Sequence, residues 1–323
     1  MAPIETTDTF SRGSIDLRLV GIHHITAITG DAPTNVDFYA RLMGLRLVKK
    51  TVNFDAPDVY HLYYGDELGN PGSLITFFEF PGAPAGRAGA GMIHRLVWRV
   101  PGPEALDFWE GRLMGAGTAF TRTDESLRFS DPEGLDLELA AVETGDLPLI
   151  AEADDIPRSH AIVGFDGVRA YSLAPDESDR LLGEVLGFVS SVEGSHRIED
   201  RRHGGYAYDE APPAPGIRGA GTVHHIAWAC PPAQQPRWRE VLMAAGANPT
   251  PVIDRTYFRS IYFREPSGVL FEIATLGPGF LIDEPPPELG NTLKLPARYE
   301  SMREELEASL KPLNNPRAGV RPR

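Results

Sequence analysis

Only one cysteine, Cys230, occurs in the 323 residues. No internal disulfide can staple this chain, which fits a reducing compartment. Cys230 closes an apolar strand pattern with no Cys-x-x-Cys partner and reads as a buried structural thiol. Long apolar runs are missing too. No segment approaches the roughly 20 apolar residues that a membrane helix needs, and Met1 to Ile15 lack the cationic-then-apolar order of a signal peptide. A soluble cytoplasmic protein with no membrane partner is expected. Positive charge is scarce: 31 basic residues against 45 acidic ones leave a net charge of −14. That excludes the cationic footprint needed to hold nucleic acid, an anionic membrane or a polyanionic substrate. What is abundant is apolar material, 42% of the chain, enough to bury a core in one large domain or two.

The chain repeats itself. Gly91-Met-Ile-His-Arg-Leu-Val-Trp-Arg-Val-Pro101 aligns with Gly221-Thr-Val-His-His-Ile-Ala-Trp-Ala-Cys-Pro231, keeping glycine, the first histidine, tryptophan and proline in register. Phe129-Ser-Asp-Pro-Glu-Gly-Leu-Asp-Leu-Glu-Leu-Ala140 aligns in the same way with Phe263-Arg-Glu-Pro-Ser-Gly-Val-Leu-Phe-Glu-Ile-Ala274. Such self-similarity marks a duplication. Each half divides into two smaller units of a strand, a helix and a run of short strands. The first has a strand at Leu19 to Thr29, a helix N-capped by Asp31 with Pro33 in its first turn and Gly44 at its end, and strands at Leu45 to Val52, Tyr60 to Tyr64 and Leu74 to Phe80. Helices are expected at about Pro103 to Met114, Glu177 to Leu186 and Ala233 to Ala245 in the other three units. The fold class is therefore α+β, with four βαβββ modules in two domains, residues 18–145 and 159–279. Around them lie an N-terminal tail at 1–17, an acidic linker at 146–158, and at 280–323 a Pro-rich segment, an amphipathic helix from Tyr299 to Leu310 and a basic end.

Two His-His pairs occupy matching strand starts, His23-His24 and His224-His225, and Glu272 lies on a buried-looking strand, Val-Leu-Phe-Glu-Ile. Side chains alternate along a strand, so His24 and Thr26 share one face while His23 points to the other, and His225 opposes His224 likewise. Two imidazoles and a carboxylate from separate strands make a facial metal triad with open positions, as in non-haem Fe(II) oxygenases. A carboxylate in so apolar a strand is costly to bury without a cation or a proton. If the halves pack about a pseudo-twofold axis, units one and four build one cup holding His24, His225 and Glu272. Units two and three build another, where Arg95 takes the place of His225 and Glu138 that of Glu272. That second cup should be closed by an Arg95–Glu138 ion pair. Metal ligation at about 2 Å requires the two imidazoles of the first cup to come within about 5 Å of each other.

The remaining histidines carry less. His196 and His203 bound a charged stretch that reads as a solvated face; His160 reads as structural; His94 is the counterpart of His224; the role of His61 stays open. Tyr60, Tyr63, Phe77, Phe258 and Tyr262 would suit a small aromatic guest.

The paired modules, His-His-Ile near the start, Tyr60-His-Leu-Tyr-Tyr-Gly-Asp-Glu-Leu-Gly-Asn-Pro-Gly72 and Gly268-Val-Leu-Phe-Glu272 resemble the vicinal oxygen chelate superfamily. Within it, the chain is similar to the hydroquinone-type ring-cleaving dioxygenases, namely the (chloro)hydroquinone 1,2-dioxygenases and their Mhq-type relatives. The likeness spans about Leu19 to Gly279, with a similar helical extension. It implies Fe(II), or Mn(II), held by His24, His225 and Glu272; supporting roles for His23, Thr26, His224, Arg255 and Tyr262; and a small aromatic diol and O2 as substrates. A homo-oligomer, dimer or higher, is expected separately, with the C-terminal helix clasping a partner subunit. Arg255 or a neighbouring histidine would stabilise oxyanion charge and Tyr262 would orient the substrate hydroxyl. A hairpin from Tyr257 through Gly268 to Glu272 independently brings Tyr262 beside the ligand strand. Two rivals stay open. One is a glyoxalase-like isomerase or lyase, which would want a fourth ligand where the first module has about Thr76. The other is a non-catalytic binding protein of the bleomycin-resistance kind.

Overall fold

The computed structural model describes residues 17–191 and 194–317. All but the last residue of the expected tail at 1–17, and the last residues of the basic end, 318–323, lie outside them. The chain is a mixed α+β fold of two large sheets. The first holds nine strands in the order β14-β15-β16-β13-β1-β4-β3-β2-β17, the second eight in the order β10-β11-β12-β9-β5-β8-β7-β6. Module one supplies β1 (Ile22–Thr29), β2 (Arg46–Asn53), β3 (Ala56–Gly65) and β4 (Leu74–Glu79). Module four supplies β13 (Val223–Cys230), β14 (Ile253–Asp254), β15 (Arg259–Arg264) and β16 (Leu270–Thr275) to the same sheet. Modules two and three share the second sheet through β5 (Met92–Val100), β6 (Phe120–Arg122), β7 (Ser126–Ser130), β8 (Asp136–Ala141), β9 (Phe165–Ser172), β10 (Val189–Ser190), β11 (Ser195–Glu199) and β12 (His203–Glu210). Each sheet thus takes one module from either half, joined at its centre by an antiparallel pair, β1 with β13 and β5 with β9.

Helices follow the first strand of three modules: α1 (Ala32–Val36), continued by wider turns to Leu42, α2 (Pro103–Gly115) and α3 (Gln235–Ala244). Module three has only a tight turn, Pro175–Ser178, and wide turns over Arg180–Val185. The N-terminus of α1 departs from expectation. Asp31 sits at the cap, but its carboxylate takes the Thr34 hydroxyl at 2.5 Å, and the buried Ala32 N–H goes to Glu79 of β4 at 3.0 Å. A carboxylate delivered by the neighbouring strand does the capping. Gly44, at φ +69°, ends the helical segment as the left-handed residue the sequence places there.

Period-two alternation sorts side chains onto two faces. Ile25, Ala27, Tyr60, Leu62, Phe77, Ile226, Trp228, Phe271 and Ile273 pack with Tyr39, Leu42, Trp109 and Trp238 in the main core. Val48, Phe54, Tyr63, Leu74, Ala227, Tyr257, Phe258 and Ala274 form a separate cluster on the concave side of the first sheet, with Phe280 and Leu289 of the C-terminal extension. Tyr60 and Phe77 therefore belong to the core and leave the cup. Strand parity, which places them opposite Tyr63 and Thr76, is the reason.

The extension is an integral part of the sheet. β17 (Leu293–Lys294) adds a parallel edge to β2, a strand the Pro-rich sequence does not announce. Gly290, at φ +74°, lies so close to Leu47 that a Cβ would overlap its carbonyl oxygen. After β17 come a tight turn, Ala297–Met302, and α4 (Arg303–Ser309), shorter than the expected helix. Lys49 of β2 is fully buried, with its ammonium on Glu284 and, at 2.6 Å, on Asp283. Neutralising Glu284 leaves the buried ammonium paired with Asp283 alone and a charge-assisted hydrogen bond lost, at a cost of about 2 kcal/mol. Glu284→Gln is expected to lower unfolding free energy by that order in urea denaturation; an unchanged midpoint would show that the extension does not anchor β2.

Candidate metal centre

The side chains of His24 on β1, His225 on β13 and Glu272 on β16 converge in the cup of the first sheet, their ligand atoms all within 4.8 Å of one another. His24 Nε2 lies 3.2 Å from His225 Nε2 and 3.3 Å from Glu272 Oε2, and His225 Nε2 is 2.9 Å from that oxygen. All three residues are buried. Ligands at about 2 Å from one ion and at right angles would be separated by roughly 3 Å, the spacing seen here.

Hydrogen bonding decides which ring nitrogens carry protons. His23 Nε2 lies 3.2 Å from the Thr275 carbonyl, which only accepts, so that nitrogen carries the proton. Burial pushes the His23 pKa down to about 3, so the ring is neutral and its Nδ1 is an acceptor. His24 Nδ1, at 2.9 Å, must then donate to it. That leaves His24 Nε2 without a proton, its lone pair aimed into the cluster. His224 stands in the same relation to His225, Nδ1 to Nδ1 at 2.7 Å, with burial taking it too down to about 3. Burial likewise lowers His225. Glu272 Oε1 accepts from the Ser260 hydroxyl, whereas buried Oε2 accepts no hydrogen bond of good geometry. Two imidazole Nε2 atoms and an orphaned carboxylate oxygen facing one another are a donor set that fits a cation.

Strict alternation misplaces His23 and His224. The β1–β13 register slips between Ile22 and His24 and again between Thr26 and Ala27, so His23 and His224 are each an extra residue with no cross-strand partner. These bulges swing both rings onto their neighbours, and His23 and His24 both pack on Phe258, at 4.8 and 5.1 Å between ring centroids. The paired histidines act together at one centre, where parity alone would put them on opposite faces.

The other expected residues gather nearby. Tyr262 faces Glu272 across β15 and β16, as the hairpin predicts, with its ring 5.6 Å from that of His225. Burial raises its hydroxyl pKa, helped by Glu272. Arg255 donates to the Tyr262 hydroxyl at 3.4 Å and pairs with Asp55 at 3.2 Å; burial opposes its charge, but Tyr262 and Asp55 keep it protonated. Thr26 shares a hydrogen bond with Thr76 at 2.8 Å. Thr76 stands at the pseudosymmetric counterpart of Glu272, paired with Thr26 as Glu272 is with Ala227. A fourth carboxylate ligand is therefore absent at that position. Residue types alone did not single out Ser260 or the His61–Thr76 contact. Ser260 was within reach, since it lies two residues before Tyr262 on the same strand.

In the second cup, Arg95 and Gly167 hold the positions of His225 and His24. Arg95 reaches Glu138 at 3.6 Å and Asp136 at 3.1 Å, and Arg128 reaches Glu138 at 3.2 Å. The expected ion pair is there, widened into a network. His94, also an unpaired bulge residue, stacks on Tyr171 at 3.9 Å and contacts Asp209 at 2.7 Å. His160 stacks on Phe108, and Cys230 is buried, its thiol pushed up to about 12 by burial. His203 pairs with Asp146 at 2.9 Å. His196 contradicts the solvated reading: it is buried, within 3.3 Å of Ser190 and 3.5 Å of Asp179, because it faces inward on β11.

The profile of the glyoxalase/bleomycin resistance protein/dioxygenase superfamily matches residues 21–139. Over 304 residues the chain is 42% identical to MhqO of Bacillus subtilis, provisionally named a ring-cleaving dioxygenase, covering 91% of this chain and 97% of that one. It is 31% identical over 318 residues to the chlorohydroquinone/hydroquinone 1,2-dioxygenase of Sphingobium indicum, covering 93% and 97%. A crystal structure of a provisionally named dioxygenase from Bacillus subtilis superposes with a TM-score of 0.85 at 40% identity, covering 92% of this chain and 98% of that one. Glyoxalase I from Zea mays shares the fold, with a TM-score of 0.55 at 13% identity over 79% of this chain and 92% of that one. No helix among the described residues is long and apolar enough to cross a membrane.

Burial holds His61 well below the ordinary imidazole value of 6.5 and lowers His94 and His196 as well. Folded, these rings resist protons that the unfolded chain takes up, so stability is full above about pH 6.5 and falls as pH drops through it. Urea midpoints of metal-free protein should be lower at pH 5 than at pH 7.5; a flat or rising profile towards acid would contradict the buried neutral assignments.

Proposed function

The chain belongs to the glyoxalase/bleomycin resistance protein/dioxygenase superfamily, and from that premise we propose that it is an Fe(II)-dependent dioxygenase that opens the ring of a hydroquinone-like or other dihydroxylated aromatic. The observation that carries this reading is the convergence of two buried imidazoles and one buried carboxylate in a donor set that fits a cation. Relatives aligned over nine-tenths of the chain carry names that assign them to ring cleavage, which supports dioxygenase activity. A two-histidine, one-carboxylate set with open positions suits Fe(II), and Mn(II) takes the same donors. Thr76 at the fourth position weighs against a four-ligand glyoxalase-like lyase.

His24, His225 and Glu272 would hold the ion. When bound, it supplies Lewis acidity towards a substrate hydroxyl and electron exchange with dioxygen. His23 and His224 keep the outer nitrogens of the ligands engaged, so that each Nε2 faces inward; such orienting partners also raise ligand basicity. Ser260 holds Glu272 in place from behind. Tyr262, kept protonated by burial, can donate a hydrogen bond to a substrate oxygen as it loses its proton, and Arg255 beside it supplies positive charge for the oxyanion. Phe258 walls the histidines with an apolar surface on which an aromatic ring can pack.

Anaerobic Fe(II) loading followed by O2 consumption with hydroquinone and catechol side by side tests this. Wild-type protein should hold close to one iron per chain and consume O2 with a diol, and His225→Ala should lose the metal. Tyr262→Phe should keep the iron and lose roughly 100-fold in kcat, the scale of a general acid–base contribution. Substoichiometric iron in the wild type, or ring opening undiminished in Tyr262→Phe, would contradict the respective assignments.

A further inference from the structure

The cup has two arms, exchanged by the same pseudo-twofold that exchanges His24 with His225. On one arm Tyr262 faces Glu272 across β15 and β16, and Ser260 backs the carboxylate. On the other, Tyr63 faces Thr76 across β3 and β4. His61, at the position of Ser260, backs the threonine: its Nε2 lies 3.0 Å from Thr76 Oγ1, and its Nδ1 is 3.0 Å from the Tyr63 hydroxyl. Thr76 continues to Thr26 at 2.8 Å. Where one arm is acidic and faces the triad, its counterpart is an uncharged chain of three hydroxyls and one imidazole.

That chain is buried, and apart from the supporting role expected of Thr26, none of the roles assigned so far uses it. Strand register places Tyr63 and Thr76 on the same face of the sheet as Tyr262 and Glu272, so both arms flank the triad. Burial keeps His61 neutral, and a neutral imidazole lets the chain run in either direction. With the proton on Nε2, Tyr63 donates to the ring and offers a lone pair to a guest. With the proton on Nδ1, Tyr63 accepts from the ring and offers its own O–H. A neutral phenolic hydroxyl, which both donates and accepts, matches either state.

We propose that Tyr63, held by His61, receives the second hydroxyl of a para-diol, and that this arm selects hydroquinone-type substrates over catechol and simple phenol. The inference rests on the ring-cleavage reading above. The adjacent oxygens of a catechol can both lie beside the triad and ask nothing of the far arm. In a para-diol they lie at opposite ends of the ring, so the one remote from the triad must find a partner or be buried unsatisfied. A site built to hydrogen-bond that hydroxyl discriminates strongly against a guest that lacks it. Phe258 packs on His23 and His24, and Phe280 packs on Tyr63 and Tyr257, so apolar surface flanks both ends.

The test loads wild type and Tyr63→Phe anaerobically with Fe(II) and titrates each, without O2, with hydroquinone, catechol and phenol by calorimetry. Tyr63→Phe should keep the iron content and melting temperature and bind catechol and phenol within about twofold of wild type. Hydroquinone should bind roughly tenfold more weakly, the loss expected for one hydrogen bond. An equal loss for all three ligands, or none for hydroquinone, overturns the Tyr63 assignment and leaves ring cleavage standing. Wild-type protein that holds no iron and takes up no O2 with any diol would remove both.

Discussion

A buried carboxylate oxygen faced by two buried imidazole nitrogens is the constraint on which the rest of the structure turns. Left without a cation or a proton, such a cluster is expensive, because desolvation strengthens every repulsion within it. The surrounding protein does not relieve the cost; it enforces the arrangement. The Thr275 carbonyl fixes the His23 proton, His23 fixes His24, and Ser260 pins the other oxygen of Glu272. Each contact removes a rotamer or tautomer by which the cluster could have escaped. Rigidity of this kind pre-organises a metal site, since little reorganisation remains when the ion arrives.

Duplication explains how the site came to be single. Both sheets keep the same antiparallel centre, the same bulges and a glutamate at the same place, yet Arg95 fills the position of His225 in the second cup. A guanidinium brings the positive charge that an ion would bring in the first cup, and it satisfies Glu138 permanently. Within the first cup the symmetry is broken again. Glu272 and Ser260 on one arm correspond to Thr76 and His61 on the other, so one wall carries charge and its mate carries neutral hydrogen bonds.

Much of this was legible in the residues because strand periodicity and repetition are local signals. The triad, the duplication, the mixed α+β class, the pairing of module one with module four and the Arg95–Glu138 contact could all be read from spacing. What escaped depended on non-local geometry. A bulge shifts parity by one residue, and no pattern in Gly-Ile-His-His announces it, so the cooperation within each His-His pair was hidden. Tyr60 and Phe77 read as cup aromatics until the β3–β4 register placed them in the core. His196 looked solvated amid its charged neighbours because inward facing on a short strand is set by the strand beside it. The edge strand at Leu293–Lys294 is too short and too rich in neighbouring prolines to carry any periodic signal.

X-ray absorption at the iron edge of the anaerobically loaded protein examines the central claim most directly. The account predicts two imidazole nitrogens and one carboxylate oxygen at about 2 Å, with the carboxylate contribution lost in Glu272→Ala. A spectrum without imidazole scattering, or one that Glu272→Ala leaves unchanged, would contradict it.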